Sequence, residues 1–139
     1  MLEFLKLLLF AKAVALSPAV ATVGDTEVVF RATEPLVALN DGAYFSIDVS
    51  NVVPVTDVIE TMRRTETAFP AGCIRAVGVH PDGSSTKLTR QSVATSSTAA
   101  FVDLRQEGSA NRKVGFTSII ISACRPIPNA SVTWHNSSK

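Results

Sequence analysis

Two histidines, two cysteines and twelve carboxylates are what this 139-residue chain offers to acid–base, metal or thiol chemistry. His80 stands in His80-Pro81-Asp82-Gly83, which sets an imidazole beside a carboxylate. The same four residues are what a tight turn requires, with Pro fixing φ and Gly relieving strain, and the turn is the reading adopted. His135 follows the only tryptophan, Trp134, in a polar stretch and is expected to be exposed. A metal site needs several ligands at matched spacing, and neither histidine belongs to such a cluster. The carboxylates fall one to a segment, with no pair placed as general acid and base. No G-x-S-x-G elbow, phosphate loop or H-E-x-x-H motif is present. Catalytic residues, metal ligands and cofactor sites are therefore assigned to none, and a small secreted hydrolase ranks last among the functions.

Cys73 and Cys124 are the only cysteines. In an oxidising compartment they are expected to pair and to close a loop of about fifty residues, which contributes about 4 kcal/mol in the chain-entropy model. The spacing invites comparison with immunoglobulin domains, but there a Trp follows the first Cys and a Tyr lies two residues before the second. Here Trp134 lies beyond the second Cys and the other position is Ser122. The comparison supports a sandwich architecture without membership of that family.

Two stretches carry clustered cations. Arg63-Arg64-Thr65-Glu66-Thr67-Ala68-Phe69-Pro70 combines two guanidinium groups with an aromatic ring and is the preferred binding loop, with Arg63, Arg64 and Phe69 as its named residues; its plainer reading is a polar connection with Phe69 tucked into the core. Leu104 to Lys113 reads as a basic hairpin tip with Arg105, Arg112 and Lys113. Over about ten residues, with Arg105-Gln106 and then Asn111-Arg112-Lys113, it resembles the strand–loop–strand region of small RNA-phage coat proteins. Those proteins end in two helices that interlock a dimer, whereas this chain ends in a strand pattern, so a solvated hairpin tip is preferred. Thirteen Lys and Arg against twelve Asp and Glu leave no basic excess, which disfavours a nucleic-acid partner. Two N-glycosylation sequons, at Asn129 and Asn136, are about as many as chance supplies.

The chain begins MLEFLKLLLFAKAVALSPAVA, which combines Lys6 near the front, an apolar stretch and Ala19-Val20-Ala21 as a small-x-small cleavage point. Residues 1–21 are expected to be a signal peptide, or else a retained hydrophobic helix. Lys12 interrupts the apolar stretch, so no stable membrane span is expected.

From Thr22 onward the hydropathy period is two, which predicts an all-β domain over residues 22–139 with seven or eight short strands, a β-sandwich or small barrel. In Ala43 to Val49 the odd positions are assigned to one face and Tyr44, Ser46 and Asp48 to the other. Gly115 to Cys124 is apolar at both parities, as in a central strand. The one helix begins near Asp57, where Asp57 caps and Glu60 completes a capping box. The preferred function is an exported, non-enzymatic β-sandwich that binds a protein or glycan partner at the cell surface or in the periplasm. The alternative is a subunit of a pilus, fibre or capsid in which the N-terminal helix is kept, so a homo-oligomer is also foreseen.

Overall fold

A computed structural model of the chain describes residues 12–107 and 115–137. The fold is mostly β, with antiparallel sheets packed together and no closed barrel. Among the described residues eleven strands and one helix follow in order: β1 (Ala13–Ala15), β2 (Ala21–Val23), β3 (Val28–Leu36), β4 (Tyr44–Asp48), α1 (Val58–Ala68), β5 (Ile74–Val79), β6 (Ser85–Lys87), β7 (Arg90–Thr95), β8 (Ala100–Arg105), β9 (Phe116–Ala123), β10 (Ile127–Ala130) and β11 (Val132–His135). They form a five-stranded sheet ordered β1-β11-β4-β8-β7, a four-stranded sheet ordered β3-β9-β5-β6, and the pair β10-β2.

Alternation in sequence becomes two faces in space. In the large sheet Phe45, Ile47, Val102, Leu104 and Trp134 share the inner parity and are buried. They meet Phe30, Ile119 and Ile121 of the small sheet in one core. Aromatic edges close the gap between sheets, with Phe116 centred 5.5 Å from Phe45 and 5.7 Å from Trp134, geometries that rings favour over a face-to-face sandwich. The strand read as central does lie inside its sheet, since β9 pairs with β3 on one side and β5 on the other. Gly78 on β5 is needed there because a Cβ would run into the Phe116 ring.

Helix α1 starts where its cap residue stands. The Asp57 carboxylate accepts from the Glu60 backbone N–H at 3.0 Å, satisfying one of the unpaired donors of the first turn. The helix packs on β7 and β8, held by Thr95 Oγ1 donating to the Val58 carbonyl at 3.2 Å and Gln91 Nε2 donating to the Phe69 carbonyl at 2.9 Å.

One expectation requires correction. The retained helix foreseen as the alternative to a signal peptide is not what the described part of the opening segment forms: from Lys12 onward the chain is extended. β1 lies against β11, with Val14 opposite Trp134, and Ser17 exchanges backbone hydrogen bonds with Arg31 at 2.9 and 2.7 Å. Leu16 is part of the core. A tryptophan-bearing strand at the sheet edge offered these short apolar residues a ladder that an isolated helix interrupted by Lys12 could not match. Both faces of β4 read from alternation are covered, since Tyr44 and Ser46 on the second face are only 2% and 6% exposed.

Candidate functional site

The binding residues named from sequence separate in space. Arg63 and Arg64 are not in a loop between strands but in the second half of α1. Phe69, directly after the helix, is buried in the core and cannot present its ring to a partner. Arg105 lies within β8, its guanidinium 4.5 Å from the centroid of the Tyr44 ring and donating to Ser92 Oγ at 3.3 Å. Arg112 and Lys113, the rest of the proposed hairpin tip, lie outside the described residues.

Both histidines are used internally. His80 is buried in the β5–β6 connection, where Nδ1 lies 2.6 Å from the Gly115 carbonyl and Nε2 lies 2.6 Å from Thr86 Oγ1. Its ring stacks on Phe116. The connection is the turn read from His80-Pro81-Asp82-Gly83: Gly83 takes φ 90° and donates to the His80 carbonyl. Asp82 accepts from both Oγ and N of Ser84, and these hydrogen bonds, the side-chain one first, hold its carboxyl below the usual carboxylate range.

His135 is half-buried rather than exposed, because Tyr44 stands opposite it in the β11–β4 register and the rings stack at 4.5 Å. Its Nε2 lies 3.1 Å from Ser46 Oγ. Ser46 in turn pairs across the sheet with Asp103, itself 6% exposed. Sequence reading missed this Ser–His–Tyr–Asp grouping, which arises from three strands far apart in the chain. Among the described residues, no group of three His, Cys, Asp or Glu side chains is placed to hold a metal ion, and no helix is long and apolar enough to cross a membrane.

Cys73 and Cys124 are bonded, their Cα atoms 4.8 Å apart. The bridge ties the segment just after α1 to the β9–β10 corner, where Arg125 follows immediately. A groove of about 300 Å³ opens beside it, between the chain at 52–54 and the C-terminal half of α1. Val52, Val53 and Ala68 supply apolar surface, and Arg63, Arg64 and Arg125 supply three guanidinium groups with no carboxylate among the lining residues. Arg64 is held in place by donating to the Pro54 carbonyl at 3.3 Å and to Thr56 Oγ1 at 2.7 Å. Arg63 meets Glu60 at 3.1 Å, an exposed pair worth little in water. Two other grooves carry charges of both signs, one with Asp25, Glu27 and Arg75, the other with Lys12 and Glu34.

The helix bordering the groove is turned the unusual way round. Thr61 and Thr65 face inward and are fully buried, whereas Val58 and Met62 face outward and Ile59 is 74% exposed. The threonines can be buried because each finds a partner: Thr61 Oγ1 accepts from the Thr56 N–H at 2.9 Å, and Thr65 Oγ1 donates to the Thr61 carbonyl at 2.7 Å. Nothing comparable explains the outward aliphatic groups. A signal was present in the sequence, since Ile59 is two residues before Thr61 and six before Thr65, off the stripe the two threonines form. Comparison with protein-family models, with curated proteins and with solved structures gives no match for this chain.

Proposed function

We propose that this chain is a non-enzymatic interaction module, exported to an oxidising compartment, which binds another protein through the outer surface of α1 and the arginine groove beside it. The observation that carries this reading is the reversed helix, with threonines inside and Val58, Ile59 and Met62 outside. Exposed apolar groups gathered on one element mark interaction sites, and Met and Arg are enriched at protein interfaces. The exposed side chains are aliphatic, which suits a protein partner better than a sugar ring. The disulfide supports an oxidising location, because such bonds persist outside reducing compartments. For the enzymatic alternative the nearest grouping is Ser46 with His135, and a nucleophile there would have to act from a residue that is 6% exposed.

A cut after Ala21 would remove β1 and Leu16 and split β2 from its first residue. That observation favours a second reading, a subunit of an assembly that keeps its opening segment, in which the surface of α1 meets a neighbouring copy.

The test is photo-crosslinking in the cells that make the protein, with a benzophenone amino acid at Ile59 and, as a control, at Val20, also exposed. An adduct with a different protein at Ile59 and none at Val20 supports the first reading. An adduct of twice the chain's mass supports the second, and equal labelling at both positions removes the basis for both.

A further inference from the structure

We infer that the groove between residues 52–54 and α1 takes an acidic segment of a partner protein, anchored by an aliphatic side chain on the Val52–Val53–Ala68 floor with its carboxylates on Arg63, Arg64 and Arg125. This rests on the reading of α1 as a binding surface and adds the chemistry of what is bound.

Charge complementarity decides the occupant. Three guanidinium groups border one groove and no carboxylate lines it, whereas two further grooves among the described residues hold acids and bases together. The chain as a whole is almost neutral, so a site lined only by cations is a local arrangement and not a consequence of composition. Guanidinium is the group suited to such a site: it is always charged, weakly hydrated, and presents planar donors that match a carboxylate in two-point contact. Arg64 is already oriented by Pro54 and Thr56 through one nitrogen, Nη1. Its remaining N–H groups are therefore presented from a side chain whose freedom is already restricted, which lowers the entropic cost of binding.

The volume limits the anchor. About 300 Å³ lies at the lower end of small-molecule pockets. Ile59, one turn before Arg63 on α1, is 74% exposed and adds apolar surface on the same helix. A chain that alternates acidic and aliphatic residues satisfies both parts. A compact inorganic anion would engage the cations and leave the apolar surface unused. The disulfide bears on the same site, because it fixes the corner carrying Arg125 to the end of the helix segment carrying Arg63 and Arg64.

The experiment uses the full chain, isotopically labelled, titrated with a synthetic peptide of glutamates and leucines spaced by serine and glycine. Three controls accompany it: the same peptide with lysine for glutamate, the same peptide with alanine for leucine, and inorganic phosphate. Saturable amide shifts at residues 52–54, 63–68 and 125 are expected with the first peptide only. Arg63→Glu together with Arg125→Glu, both at exposed positions, is expected to weaken binding about tenfold or more, and raised salt to weaken it further. Equal binding of the lysine peptide, shifts confined to other surfaces, or no saturable shift overturns the inference. Phosphate alone reproducing the shifts reduces the site to an anion site and also overturns it. Shifts that grow with protein concentration in the absence of peptide assign the groove to a second copy and overturn it as well. If crosslinking at Ile59 finds a protein partner while the acidic peptide fails, the chemistry proposed for the groove falls and the binding surface stands. Failure of both removes the surface too.

Discussion

The outer side of α1 and the outer face of the large sheet invert each other. On the sheet, polar groups of the outer face are withdrawn from solvent: Tyr44 stacks on His135, His135 meets Ser46, and Arg105 covers the Tyr44 ring. On the helix, aliphatic groups that hydropathy assigns to the interior are left in water, and threonines take the interior. The threonines, Ser46 and His135 obey one rule, that a buried polar group needs a partner. The exposed Val58, Ile59 and Met62 obey no rule of the isolated fold. Of the two regions, the sheet face resembles chemistry and is engaged in structure, while the helix resembles structure and is unengaged.

The largest test of this contrast is the disulfide. Separating two cysteines 51 residues apart should cost about 4 kcal/mol, a large part of a small domain's stability. Thermal unfolding with and without reductant should then differ by roughly 10–20 °C. A difference of a degree or two would show that the α1 end is held by packing alone.

Next comes the sheet face. His135→Ala removes a stacked ring and the partner of Ser46, and should lower stability by about 1–2 kcal/mol in denaturant unfolding. Asn136 belongs with it, being 7% exposed with Oδ1 accepting from the Lys12 N–H at 2.9 Å. Asn136→Ala should cost about 1 kcal/mol. A neutral result for both would mean that this face is free for other work.

On the helix, Thr61→Ala leaves the Thr56 N–H without its acceptor and should cost about 1–2 kcal/mol. Ile59→Lys should change stability by no more than about 0.5 kcal/mol. If Ile59→Lys proves the more damaging, the helix is not reversed in any functional sense and Ile59 is a packing residue.

The smallest effect is electrostatic. Because Ser84 holds the Asp82 carboxyl below its ordinary range, folding binds fewer protons there than the unfolded chain does. This contribution is complete above the ordinary Asp range and disappears as pH falls through the lowered folded value. Ser84→Ala should raise the Asp82 titration midpoint toward the ordinary value, followed by the carboxyl carbon shift, with the His80 environment unchanged.

Local rules were legible along the chain. Alternation located β4, a run apolar at both parities located β9, Asp57 and Glu60 announced the start of α1, and Pro81-Asp82-Gly83 announced its turn. The cysteine pair was legible because nothing else could partner either residue. What could not be read locally depends on neighbours brought from afar. Tyr44 and Ser46 are buried by the register of β4 with β11 and β8. The residues from Ala13 to Leu16 were read as part of a signal peptide or a retained helix, because their ladder partner on β11 lies more than a hundred residues away. Of the site, Arg63 and Arg64 were legible as cations in excess, but Arg125 joins them only through the fold, and Phe69 was withdrawn into the core by the end of the same helix.

The antiparallel pairing of β1 with β11 also has a mechanical meaning. Lys12 and Asn136 leave the sheet side by side, joined by one backbone hydrogen bond and by the Lys12 N–H donating to Asn136 Oδ1, and followed by the Ala13–His135 pair. Traction that separates those two points therefore meets the ladder one rung at a time, as a zip is opened, and each rung yields before the next is loaded. A tether attached there would peel the edge strand at low force, exposing β11 and Trp134 while the bridge between Cys73 and Cys124 keeps the remainder of the sandwich closed.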